Sequence, residues 1–120
     1  MDIILQGIFI ALMLWFIISR FVPVKGITNI NPAEAKKQLK GNNTQGIDVR
    51  TPAEYQSHHS KLFQNIPLSN LSSKSKELDP EKEIIVICQS GMRSMKAAKM
   101  LKKQGFKHIY NVKGGMSAWR

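Results

Sequence analysis

The chain has 120 residues, 18 Lys and Arg against 8 Asp and Glu, and a net charge of +10. That length holds one small domain plus an appendage, and the charge favours anionic partners. Its one cysteine excludes an internal disulfide framework and a cysteine-rich zinc site, and suits a reducing compartment where a free thiol survives.

Residues 3–18 are apolar except for Gln6 and Gly7. With Phe21, Val22 and Val24 the stretch reaches the ~20 residues that cross a bilayer, provided Arg20 snorkels. All 18 basic residues lie at or after Arg20, as do all the acids except Asp2. A cleaved signal peptide fits poorly, because the first residues carry Asp2 instead of Lys or Arg. We therefore expect a transmembrane anchor over 1–22, a linker over 23–26 and a domain over 27–120. Arg20 and Lys25 follow the apolar segment and no basic residue precedes it. The positive-inside rule then puts the amino terminus outside and the domain in the cytoplasm.

Further along, 26–30 predicts a brief strand. Asn31-Pro32-Ala33-Glu34 opens a helix that ends by Lys40-Gly41, with Asn as cap and Pro at the first position. After a loop over 42–45, a short buried strand covers 46–49. Thr51-Pro52-Ala53-Glu54 repeats the cap signature. Residues 63–68 are extended, 71–78 give a weak helical signal and 83–87 are the strongest strand. A helix over 94–104, a strand over 107–112 and a short terminal helix after Gly114-Gly115 complete the chain. Strands alternating with helices imply an α/β domain with a mainly parallel sheet. Ligands of such sheets bind beyond the carboxyl ends of the strands.

Cys88 sits at such an end, in Cys88-Gln89-Ser90-Gly91-Met92-Arg93-Ser94. A strand delivers the thiol into a short loop and a helix starts where the loop ends. Backbone N–H groups, the helix N-terminus and Arg93 then favour thiolate, the nucleophilic form. Gly91 allows the turn. Ser94 is placed to cap the helix, its hydroxyl also able to face the sulfur. Gln89, Ser90 and Met92 shape the mouth of the pocket. An inert buried thiol is the alternative for a lone cysteine; the loop context argues against it.

Asp48-Val49-Arg50, Glu54-Tyr55, His59, Asn65-Ile66-Pro67, the Cys88 loop and Gly114-Gly115-Met116-Ser117-Ala118-Trp119 together resemble the rhodanese (thiosulfate sulfurtransferase) superfamily, from about 27 to 120. The resemblance implies the rhodanese fold, a five-stranded mainly parallel sheet with helices on both faces. It also implies a persulfide mechanism without a cofactor. Cys88 takes sulfane sulfur from a small anionic donor, for which thiosulfate is the model, and an external thiol or other nucleophile removes it. Arg93 either binds the donor's oxygens or, the favoured role, pins the loop to Glu54 or Asp48. The pattern departs after Tyr55, where His58, His59, Ser60, Leu62 and Phe63 stand at places the family commonly gives to glycine, histidine, isoleucine, a second glycine and alanine, so that two glycine positions carry bulky side chains. That departure bears on the turn before the third strand.

Rival readings remain. Tyrosine phosphatases also use a cysteine loop ending in Arg, but with five intervening residues; here there are four, Gln89 to Met92. A non-catalytic docking module tethered to a membrane is the alternative from another class. Asp48 and Arg50 read first as hydrogen-bond anchors. His58, His59 and His108 lack ligand spacing for a metal. Lys96, Lys99, Lys102 and Lys103 form a solvated helix face that could meet anionic lipid. No aromatic residues interleave with them, which argues against nucleic acid. Trp119, Met116 and Tyr55 are expected to pack.

Overall fold

Glu83–Ile87 (β4) is the middle strand of a five-stranded sheet. In the computed structural model, residues 2–21 and 26–119 are described, the side chains of 19–21 excepted. The other strands are β1 (Ile27–Ile30), β2 (Thr44–Asp48), β3 (Gln64–Asn65) and β5 (Ile109–Val112). They lie in the order β1-β5-β4-β2-β3, and every pair is parallel. The helices are α1 (Asp2–Phe21), α2 (Pro32–Leu39), α3 (Pro52–Ser57), α4 (Leu71–Lys74), α5 (Met92–Lys103) and α6 (Gly115–Ala118).

The period-two alternation of a strand explains why β4 is apolar from Ile84 to Ile87. Ile84, Val86 and Cys88 join a cluster with Leu71, Ala97, Ala98 and Leu101, under α4 and α5. Ile85 and Ile87 join the opposite cluster with Ala35, Phe63 and Met116, under α2 and α6. A parallel strand covered on both faces needs apolar residues at both parities.

Both predicted helix starts form. Asn31 Oδ1 accepts from Glu34 N–H at 2.8 Å, and Thr51 with Glu54 makes a complete capping box. β2 begins earlier than the expected 46, because Thr44 and Gln45 pair with Glu83 and Ile84. Residues 71–78 are not one helix. Two 3-10 turns, Leu68–Asn70 and Ser75–Glu77, flank the single turn of α4. The Ser73 and Ser75 hydroxyls donate to the carbonyls of Asn70 and Ser72, a local alternative that weakens serine as a helix former.

The departing segment is accommodated. Among the described residues, only glycines have positive φ, so the bulky side chains cost no backbone strain. The His58 carbonyl serves Arg50, His59 stacks on Tyr55 at 4.0 Å, and Phe63 is buried against Trp119. Tyr55 OH donates to the Phe63 carbonyl at 2.8 Å.

α1 stands apart from the sheet's two cores, its described apolar side chains exposed from Ile3 to Ile18. Among the described residues no helix is long and apolar enough to cross a membrane. The side chains of α1 are described only to Ile18, short of the ~20 residues of a span. The expected linker lies outside the described residues apart from Gly26, as do Lys25 and the Arg20 side chain.

Gly46 is the point where the departing segment touches the sheet. A Cβ there would lie 2.6 Å from Leu62 O and 2.9 Å from Leu39 Cδ2. Gly46→Ala is expected to destabilise the domain by about 1–3 kcal/mol, seen as a lower thermal midpoint by circular dichroism.

Candidate active site

Cys88 follows β4 directly and is 1% exposed. The chain then turns through Gln89 and Ser90 to Gly91, whose φ of +106° suits glycine alone. Gly91 is the N-cap of α5 and supplies no side chain to it. The N–H groups at a helix start need acceptors, and the sulfur provides one. Gly91 N–H donates to Sγ at 2.9 Å. Burial pushes the thiol up, but the side-chain hydrogen bond with Ser94 and those from the N–H groups of Ser94, Gly91 and Ser90 outweigh it. The net result is a thiol held below its ordinary range.

Ser94 does not cap α5. The helix starts at Met92, two residues before the expected 94, so Ser94 sits inside the first turn. Its hydroxyl lies under the loop, 3.1 Å from Gly91 O and 3.3 Å from Cys88 Sγ. It also donates to Asn111 Oδ1.

Two ion pairs support the loop. Arg93 grips Glu54 with both ends, at 2.7 and 2.8 Å. That bond drags the Glu54 carboxyl down to about 2, and Glu54 raises Arg93 in turn. Of the two candidate carboxylates Arg93 therefore takes Glu54. Asp48 is taken by Arg50, which is 2% exposed, at 2.9–3.1 Å. Arg50 also donates to the His58 carbonyl at 2.5 Å, to the Glu54 carbonyl at 3.3 Å and to Gln89 Oε1 at 3.4 Å. Asn65 Nδ2 donates to the carbonyls of Asp48 and Arg50, each at 3.0 Å. β2, α3 and the Cys88 loop are tied through one guanidinium.

α6 supports the other side. Met116 N–H donates to Cys88 O at 2.7 Å and Ser117 N–H to Gln89 O at 3.1 Å. A Cβ on Gly115 would lie 2.2 Å from Cys88 O, so only glycine lets the segment approach the loop. Read along the chain, Gly114-Gly115 leads into a helix; its role as a clamp depends on β5 lying beside β4. Asn111 leaves little mark in the sequence as a site residue. The available signal was one amide in the strand Ile109–Val112, where neighbours are largely apolar.

Gln89, Ser90 and Met92 are exposed on the loop, Met92 at 81%. Beside it runs a groove lined by Asn29, Ser90, Met92, Asn111 and Lys113. Among the described residues, no group of three or more His, Cys, Asp or Glu converges as metal ligands would.

The Glu54 carboxyl ionises near 2 in the fold and near ~4.3 in an unfolded chain. A depressed carboxylate stabilises fully above its unfolded value and stops doing so as pH falls through the folded one. Wild type should therefore lose thermal stability between about pH 5 and 2 more steeply than Glu54→Gln. Solvent at this partly exposed pair limits the difference to about 1 kcal/mol.

Residues 31–120 match the model of the rhodanese-like domain. The Bacillus subtilis (strain 168) protein YqhL is 42% identical over 73 residues, 61% of this chain and 58% of that protein. The chain thus spans less than two thirds of YqhL's length. Thiosulfate sulfurtransferase GlpE of Pseudomonas syringae pv. syringae (strain B728a) is 32% identical over 89 residues, 74% of this chain and 84% of that protein. A solved rhodanese-related protein from Thermoplasma volcanium shares the fold with a TM-score of 0.69 at 35% identity, covering 77% of this chain and 89% of that one. The parallel five-stranded sheet with a cysteine loop at its carboxyl edge now has the family match that its motifs implied: the chain belongs to the rhodanese-like domain family.

Proposed function

We propose that the protein is a sulfurtransferase that carries sulfane sulfur on Cys88. The observation that carries this reading is the sulfur itself, desolvated yet held toward thiolate by converging N–H groups. The thiolate attacks the outer sulfur of a donor such as thiosulfate. The new S–S bond forms as the donor's own S–S bond breaks, and sulfite leaves with the electron pair. The same N–H groups then hold the terminal sulfur of the Cys88 persulfide. An external thiolate attacks that sulfur, becomes a persulfide itself and returns Cys88 as thiolate. With one cysteine in the chain, the acceptor thiol comes from another molecule.

Arg93 has its charge engaged by Glu54. Lys113 in the adjoining groove is the cation better placed to attract the donor's oxygens. The same engagement argues against phosphate transfer, which needs the loop arginine directed at the phosphoryl group. The name of the P. syringae relative, thiosulfate sulfurtransferase, supports the donor class.

The reading extends to a membrane anchor over 1–22 that keeps the domain in the cytoplasm, supported by the exposed apolar length of α1. Four residues separate Phe21 from Gly26, at most about 18 Å of chain. The chain enters β1 at the end of the parallel sheet opposite Cys88, and β4 alone, with 5 residues, is about 17 Å long. The tether would keep the catalytic edge away from the bilayer, open to soluble donors and acceptors.

Intact mass of the protein after thiosulfate treatment should show a gain of one sulfur atom, absent in Cys88→Ala and removed by cyanide. Folded protein that gains no sulfur from thiosulfate or from a persulfide donor would instead favour the docking module. For the anchor, the protein should stay with membranes through alkaline carbonate extraction, and a cysteine replacing exposed Ser73 should resist an impermeant maleimide until cells are opened. Labelling of intact cells would reverse the orientation.

A further inference from the structure

β5 carries one amide into the interior. Asn111 is buried between Tyr110 and Val112. Its Nδ2 donates to Asn29 Oδ1 on β1 at 3.0 Å, which turns Oδ1 toward α5. There Oδ1 accepts from the Ser94 hydroxyl. A serine hydroxyl has one proton to donate, yet Ser94 Oγ has three neighbours able to accept it. They are Asn111 Oδ1, Gly91 O at 3.1 Å and Cys88 Sγ at 3.3 Å. With the proton on Asn111, Ser94 Oγ offers its lone pairs to the sulfur and accepts the thiol S–H.

We propose that Asn111 is a positioning residue that draws the Ser94 hydroxyl proton away from Cys88 Sγ, so that Ser94 accepts from the thiol and must reorient before it can donate to the thiolate. The proposal rests on the reading of Cys88 as the reacting sulfur. When the thiol proton passes to water, the Ser94 hydroxyl turns from Asn111 to the sulfur. Oδ1 is then left without that bond in a buried place, a loss that opposes the turn. Asn111 and Ser94 therefore act in opposite senses on one equilibrium. Such moderation suits a nucleophile, because a thiolate made too stable reacts more slowly. The charged groups on the elements packed about the loop are Arg93 on α5, Glu54 on α3, the Asp48–Arg50 pair at the end of β2, and Lys113 after β5. Replacing Asn111 or Ser94 alters none of them.

The test is the pH dependence of Cys88 alkylation by iodoacetamide in the full chain held in detergent. This readout follows thiolate and needs no sulfur donor. Asn111→Ala should lower the midpoint and speed alkylation about 3-fold below it, whereas Ser94→Ala should raise the midpoint. The double variant should match Ser94→Ala, since no hydroxyl proton remains to compete for. Asn111→Val fills the strand position and serves if the alanine variant does not fold. An unchanged or raised midpoint in the Asn111 variants, or additive effects in the double variant, would overturn the proposal. Failure to load sulfur with these shifts intact would overturn the transfer reading alone.

Discussion

A sulfur atom withdrawn from water at the end of β4 is the constraint on which the rest of the site depends. Burial by itself favours the neutral thiol, and a neutral thiol is a poor nucleophile. The opposing hydrogen bonds exist because α5 begins immediately after the loop and no side chain caps it. N–H groups that would otherwise meet a capping oxygen are left for the sulfur. The positive φ at Gly91 makes that convergence possible. The lowering of the thiol and the start of the helix are one arrangement.

The charges near the loop are built to hold it. Arg93 is one residue from Ser94, yet its guanidinium reaches outward to the capping-box carboxylate of Glu54. Arg50 is buried with Asp48 and spends its other donors on two carbonyls and on Gln89. A buried pair of this kind is not a simple source of stability, because desolvation opposes the attraction. Its value lies in geometry: one planar fork fixes the end of β2 relative to α3 and the loop. With these cations engaged, the proposed function leaves recognition of an anionic donor to the loop N–H groups and to the groove that contains Lys113.

Much of the fold was legible because its signals are local. The apolar run of β4, the Asn31 and Thr51 caps and the spacing of Ala97, Ala98 and Leu101 each follow from near neighbours. Predictions slipped where neighbours in sequence do not decide. Thr44 belongs to β2 because Glu83 lies beside it. Ser73 and Ser75 bond to nearby carbonyls, and only one α-helical turn remains. Ser94 has the right chemistry for a cap, but a helix that starts at Met92 puts it underneath the loop.

The sequence by itself determined that the one cysteine would sit at the carboxyl end of a buried strand in a parallel α/β sheet, since the apolar run, the loop and the helix pattern are contiguous. Beside the donor's oxygens, it also offered Arg93 two carboxylates as partners. Only the tertiary structure decided between them, because Glu54 and Asp48 are far from Arg93 along the chain and strand order sets which one faces it. Tertiary structure likewise made Gly115 a clamp on Cys88 and brought Asn111 to Ser94. Both follow from the pairing of β5 with β4. Residues that touch across neighbouring strands leave no mark in the spacing of either strand, so the part of the site made by that pairing appears only when the sheet is assembled.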